Sequence, residues 1–378
     1  MSSDQDQRMG ARHSLHRQPA SENQTISTPI AFNDTSVLVL GGGNFGTCLA
    51  DHLAAMGNEV TIYARDQKVV DGINNDHHNV KYMKDVVLTD TLKATSQLED
   101  GAAIQAATVI IFSIPTQHLR DILAKTKPFV TKSHLTIFVN KGIEIHSGKL
   151  PCDIVEEVWG KEIGECATYL SGPSFAMEVV KRQPTCVSVA SRVKERALRA
   201  QAVFHAPHFR VYDCDDVIGV EVAGALKNVI ALAAGACAGL GFQQNARAAI
   251  ITRGLAEIMR VGVKLGADPL TFSGLAGVGD LFLTAQSEKS RNYTVGFRLG
   301  RGEKLDYVLE TLGSVAEGVE TTKAAYELCH KIGVESPVCD AVYSVLFGGV
   351  DVKEAVKTLM SRDPHAEFHG LDLGASKK

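Results

Sequence analysis

The sequence predicts an α/β protein, with a doubly wound sheet in its first half and an all-α second half. Three observations carry this reading. Residues 36–46, SVLVLGGGNFG, run a short apolar strand straight into Gly-x-Gly-x-x-Gly, and a helical pattern follows. From there to residue 212 short apolar runs alternate with helical segments, as strands buried on both faces require. After Asp216 the strand-like runs stop and the chain reads as helix to about residue 360.

Each glycine of the first turn has a separate task. Gly41 lets the chain turn sharply off the strand, and Gly43 lets the backbone approach a pyrophosphate. Gly46 lets the next helix (Thr47 to Met56, closed by Gly57) pack against the sheet, so that its free N–H groups face the anion. This is a Rossmann-like dinucleotide site. The second strand, Glu59–Tyr63, ends in Tyr-Ala-Arg-Asp, where an NAD-specific site ordinarily carries a carboxylate for the ribose. Arg65 suits the 2′-phosphate of NADP, and Asp66 comes one or two positions late for the ribose. The alternative is a surface Arg–Asp pair in a turn. NADP is therefore favoured over NAD.

Further strands are expected at 107–114, 135–139, 167–170, 185–190 and 209–212, with helical segments near 116–127, 148–160 and 192–205. The second half reads as helices at 217–240 and 245–265, a Gly-rich turn at 273–279, then helices at 291–301, 303–312, 317–332, 337–346 and 352–360. Asp351 opens the last of these as a cap, and Gly266 and Gly333 close two others. The domains follow: a disordered extension over 1–34, a dinucleotide-binding domain over 35–216, an all-α substrate domain over 217–365, and a flexible tail over 366–378.

Composition narrows the class. A net charge of −4 provides no bulk attraction to nucleic acid or anionic lipid, so any phosphate must be held by a few placed cations. The eight cysteines show no C-x-x-C pair, which fits a reduced compartment with buried thiols. His77 and His78 are adjacent and read as loop residues, and no metal site is expected. Residues 1–34 lack the apolar run of a secretory signal, and cytoplasm is the default location. Val217 to Gly241 is long and apolar, but Lys227 near its middle and its Ala/Gly content favour a buried helix over a membrane span.

Several residues could do chemistry. A lysine inside an apolar helix, Lys227, has its pKa lowered by desolvation and becomes a usable proton donor; the alternative is a lysine that snorkels to the surface. Lys141 ends the strand at 135–139, and Gly172-Pro-Ser174 ends the next, both on the carboxyl edge where ligands of such sheets bind. Asp280, flanked by glycines, can approach a lysine closely, or simply form a turn. Ser290-Arg291-Asn292 opens a helix, so Arg291 suits a bidentate phosphate contact, although a capped surface helix explains Ser290 equally well.

Taken in order, GGGNFG, IPTQ, NKG, SGPSFA, GALKN, GVGDLFLT, SRN and AEG resemble NAD(P)-dependent glycerol-3-phosphate dehydrogenases over about residues 35–360. The resemblance implies interconversion of sn-glycerol 3-phosphate and dihydroxyacetone phosphate, in a homodimer. It implies Lys227 as general acid/base, aided by Asp280 and Lys141. It implies substrate contacts at Lys141, Gly172, Ser174, Lys227, Asp280, Ser290, Arg291 and Asn292. For the dinucleotide it implies Gly41, Gly43, Asn44, Phe45, Gly46, Arg65, Lys141, Ala176, Arg291, Val315 and Glu317. Phe45 stands where the family often carries another aromatic residue. Two rival readings are a hydroxy-acid or sugar-acid dehydrogenase of the same plan, and a non-catalytic NAD(P)H sensor.

Overall fold

A computed structural model describes residues 35–313 and 315–371; the extension expected over residues 1–34 lies outside them. Among the described residues eight strands form one sheet: β1 (Ser36–Leu40), β2 (Glu59–Tyr63), β3 (Lys93–Thr95), β4 (Val109–Phe112), β5 (Leu135–Phe138), β6 (Thr168–Ser171), β7 (Thr185–Ala190) and β8 (Phe209–Cys214). Their order is β3-β2-β1-β4-β5-β6-β7-β8. The order reverses between β1 and β4, so the loops after these two strands diverge and leave a crevice at the carboxyl edge.

Strands β1 to β6 are mutually parallel, whereas β7 runs antiparallel to β6 and parallel to β8. That reversal was not expected from the sequence. The short strand β3 was also missed, because three residues are too few for a periodic signal.

Alternation along each strand builds two cores. Val37 and Val39 of β1 face one side with Ile62, Ile111 and Ile137. Leu38 and Leu40 face the other with Ile110, Phe112 and Phe138. On that second side Phe112 stacks on Phe138 at 4.6 Å between ring centroids, and Trp159 meets Phe112 edge-on at 5.4 Å.

The helices of the sheet region are α1 (Asn44–Ala55), α2 (Gln67–Asp76), α3 (Ala102–Ala106), α4 (Leu119–Thr126), α5 (Pro151–Trp159), α6 (Lys161–Gly164), α7 (Ala176–Val179) and α8 (Lys194–Phe204). The helical half holds α9 (Val217–Gly239), α10 (Gln244–Lys264), α11 (Asp280–Ala285), α12 (Arg291–Gly300), α13 (Leu305–Thr311), α14 (Glu317–Ile332), α15 (Pro337–Phe347) and α16 (Val352–Met360). The caps expected from sequence are in place: Asp351 accepts from Lys353 N, while Gly266 and Gly333 have φ of 97° and 67°.

Among the described residues only α9 is long and apolar enough to cross a membrane, and 94% of its most apolar window is buried inside the fold. Its neighbours explain its composition. Helix α12 crosses it at backbone contact, and a Cβ on Gly296 would stand 1.9 Å from Leu232 O, one on Gly235 2.0 Å from Tyr293 O. No side chain fits there, so small residues line both helices. The close crossing seats α12 along the second half of α9.

The Gly-rich stretch before Asp280 is more ordered than the turn expected. A 3₁₀ segment (Pro269–Ser273) leads into a single π turn (Leu275–Gly279), broken by a non-helical Gly277 at φ −87°, ψ −106°. Such irregular turns are frequent at functional sites.

Candidate active site

Lys227 lies halfway along α9 and is buried. Its Nζ donates to Asp280 Oδ1 at 2.7 Å and to Thr284 Oγ1 at 2.7 Å. Asp280 opens α11, and Thr284 lies four residues on, hence on the same helix face; the Thr284 hydroxyl donates back to Asp280 at 3.2 Å. The second oxygen of Asp280 accepts from Lys141 Nζ at 2.6 Å, and Lys141 also donates to Gly172 O at 3.2 Å. One buried carboxylate thus bridges two ammonium groups, and the trio carries a net positive charge.

The electrostatics follow from that arrangement. Burial lowers the pKa of Lys227 from 10.5 to about 8, with Asp280 opposing the shift and Lys141 reinforcing it. Burial would raise Asp280, but the two ammonium groups outweigh it and hold the carboxyl below its usual value. At neutral pH Lys227 is therefore charged yet close to its titration point. The snorkelling alternative does not hold.

The surrounding residues converge on the same edge of the sheet. Gly172 adopts φ +141°, and its carbonyl also accepts from Ser174 Oγ at 3.0 Å. Asn228, next to Lys227 on α9, donates to Lys141 O at 3.2 Å. Glu317 opens α14 and accepts from Thr116 N, beyond β4, at 3.3 Å. Burial raises its pKa, partly countered by Arg291. Asn292 Oδ1 accepts from Gly318 N at 3.0 Å, tying the start of α12 to the start of α14. Ser290 is the cap of α12, accepting from Tyr293 N at 3.3 Å, and leaves Arg291 exposed at the first helical position.

The glycine loop has the features an anion requires. Gly41 turns at φ +123°, and a Cβ there would lie 2.2 Å from Ser113 O. A Cβ on Gly46 would lie 2.0 Å from Gly41 O, whereas one on Gly43 meets no protein atom within 4 Å. Helix α1 starts at Asn44 with no side-chain cap, so its first N–H groups are free to bind a ligand. These residues fit a pyrophosphate. Phe45 and Ala176 pack against the same apolar cluster beside that helix.

Residues 36–197 match the family model described as NAD-dependent glycerol-3-phosphate dehydrogenase N-terminus, and residues 216–357 match the corresponding C-terminus. The chain is 45% identical over 334 residues to glycerol-3-phosphate dehydrogenase [NAD(P)+] of Limosilactobacillus reuteri, covering 88% of this chain and 98% of that one. It belongs to the NAD-dependent glycerol-3-phosphate dehydrogenase family. A second relative, from Geobacillus kaustophilus and of the same name, is 47% identical over 338 residues, covering 89% of this chain and 97% of its own. The crystal structure of glycerol-3-phosphate dehydrogenase from Coxiella burnetii superposes with a TM-score of 0.82 at 32% identity, over 87% of this chain and all of the other.

Within this family fold, Lys141, Gly172, Ser174, Lys227 and Asp280 form one connected group. Asn292 and Glu317 bond elsewhere, to Gly318 N and Thr116 N, and Glu317 acts on the two lysines only through its charge. Arg65 and Val315 stand exposed, with no hydrogen bond or ion pair to that group. Asp66 does not pair with Arg65: it caps α2 through Lys68 N at 3.1 Å and faces Lys81 at 3.5 Å. Sequence reasoning assigned no role to Thr284, Asn228 or Thr116. The four-residue spacing from Asp280 to Thr284 was the available signal for the first, once residues 280–285 are read as helix.

Proposed function

We propose that this protein interconverts sn-glycerol 3-phosphate and dihydroxyacetone phosphate, using NAD or NADP, and so supplies or consumes glycerol phosphate for phospholipid synthesis. The observation that carries the reading is the Lys141–Asp280–Lys227 bridge on the carboxyl edge of the sheet. When bound, the reduced nicotinamide supplies the hydride. The protein's part is to polarise the C2 carbonyl and to deliver a proton to its oxygen. Lys227, charged near neutral pH and held by Asp280 and Thr284, suits that task as general acid, and in the reverse direction as base. Lys141 adds a second positive charge beside the developing alkoxide.

Arg291, exposed at the start of α12, supports a phosphate contact, with Ser290, Asn292, Gly172 and Ser174 shaping the substrate pocket. Remote binding energy at the phosphate serves to align the carbonyl. Gly41, Gly43, Asn44, Phe45, Gly46, Ala176, Val315 and Glu317 are assigned to the dinucleotide. Arg65, exposed just beyond the end of β2 and without a hydrogen bond or ion pair among the described residues, favours NADP. The division into a dinucleotide domain (35–216) and a substrate domain (217–365) follows the change from strands to helices. A cytoplasmic homodimer is also proposed. Eight free thiols support a reducing location.

The test is spectrophotometric: purified protein, dihydroxyacetone phosphate, and NADH or NADPH in parallel. Oxidation of either nucleotide that requires the phosphorylated triose supports the reading. No turnover, in protein that binds the nucleotide, overturns it in favour of another substrate or a sensor.

A further inference from the structure

Beyond the end of β2 a second cation, Lys81, faces Asp66, the residue next to Arg65, and its placement is built rather than incidental. The segment after α2 folds back over the glycine loop and is pinned by Asn79, which is fully buried. Asn79 Nδ2 donates to Gly42 O at 2.9 Å and to Thr47 Oγ1 at 2.8 Å. Its Oδ1 accepts from Lys81 N at 3.2 Å and Tyr82 N at 3.1 Å. A side chain with both ends satisfied fixes the two segments relative to one another.

The consequence is where Lys81 goes. Its ammonium lies 3.5 Å from Asp66 Oδ2 and 5.5 Å from the centre of the Tyr82 ring, and the side chain is still 54% exposed. An exposed pair of this kind contributes little to stability. Its effect on charge is larger. Without Lys81, Asp66 would cancel its neighbour Arg65. With it, residues 65, 66 and 81 carry a net positive charge where an adenosine ribose would lie.

We propose that Lys81 is a specificity-determining residue that, together with Arg65, receives the 2′-phosphate of NADP. The inference rests on the dinucleotide reading above and deepens it. A phosphate monoester offers three acceptor oxygens, so it can take the Arg65 guanidinium on one edge and the Lys81 ammonium on another. Asp66 serves meanwhile as the α2 cap and holds Lys81 in position until the anion arrives. NAD, with a hydroxyl at that carbon, draws nothing from the second cation.

The test uses two cofactor fragments, 2′,5′-ADP and 5′-AMP, titrated calorimetrically into the full-length protein, so that turnover plays no part. Loss of one charge-assisted contact at a solvent-exposed site predicts that Lys81→Gln weakens 2′,5′-ADP about five- to tenfold and 5′-AMP less than about twofold. Lys81→Arg should restore the difference, and raising the salt concentration should shrink it. Equal effects on both fragments, or none, overturn the inference. If Arg65→Gln abolishes the preference for 2′,5′-ADP while Lys81→Gln leaves it intact, the NADP reading stands and Lys81 has no part in it. If the wild-type protein does not distinguish the fragments, the reading of Arg65 falls and Lys81 with it.

Discussion

Replacing Asp280 by Asn tests the centre of the site with little change in shape. The carboxylate holds two ammonium groups, at 2.7 Å from Lys227 and 2.6 Å from Lys141. The amide keeps the volume but loses the charge, and Lys227 is left buried beside a second cation. A hydrogen bond to a charged group contributes about 1.5–3 kcal/mol, and 1.36 kcal/mol corresponds to one pKa unit, so Lys227 should fall by about one to two units. It starts from about 8. In the reducing direction the charged form is the acid, so turnover is full below the folded pKa and declines above it. The declining limb of kcat against pH should therefore move toward acid by at least about one unit. With a shift of about 1.5 units, the protonated fraction near pH 7.5 drops from about three-quarters to about one-tenth, roughly an eightfold loss of turnover from protonation alone. The assay is the pH profile of kcat with saturating dihydroxyacetone phosphate, alongside nucleotide binding as a check on folding. A limb that stays in place, or moves toward higher pH, refutes the coupling of Asp280 to the catalytic proton.

Lys227→Ala should lower turnover at least about a hundredfold, the scale of a lost acid/base group, with nucleotide affinity retained in a fluorescence titration. Near-normal turnover would shift the role to another residue. Arg291→Ala should chiefly raise the KM for the phosphorylated triose by about tenfold or more, as loss of a charged contact implies, and initial rates across substrate concentration would show an unchanged KM if the residue has no such part. Gly296→Ala forces a methyl group against Leu232 O, where the Cβ would lie 1.9 Å away. Because α9 and α12 must separate, urea unfolding should show a loss of about 3 kcal/mol or more; a loss under about 0.5 kcal/mol would contradict the close crossing.

The sequence alone determined the first strand, the glycine turn, every strand but β3, and the long helices of the second half, including α14 at 317–332. It did so because those signals are local: periodicity, caps and turn glycines act within a few residues. The resemblance in GALKN and SRN brought the site residues into view individually. Their grouping was not local. Lys141 and Lys227 are 139 and 53 positions from the Asp280 they share, and no periodicity couples such distances.

Tertiary structure also decided what each residue's neighbours make of it. Lys227 is a buried ammonium rather than a surface charge because α9 is almost wholly covered by its neighbours and α11 brings a carboxylate to it. Asp66 is a helix cap facing Lys81, and not the partner of Arg65, because Asn79 pins a distant loop across the glycine turn. The reversal of β7 against β6 and the π turn before Asp280 likewise depend on how connections close over a packed core. Local sequence sets the conformations available to the chain; burial and the pairing of charges across the fold select the arrangement that assembles the site.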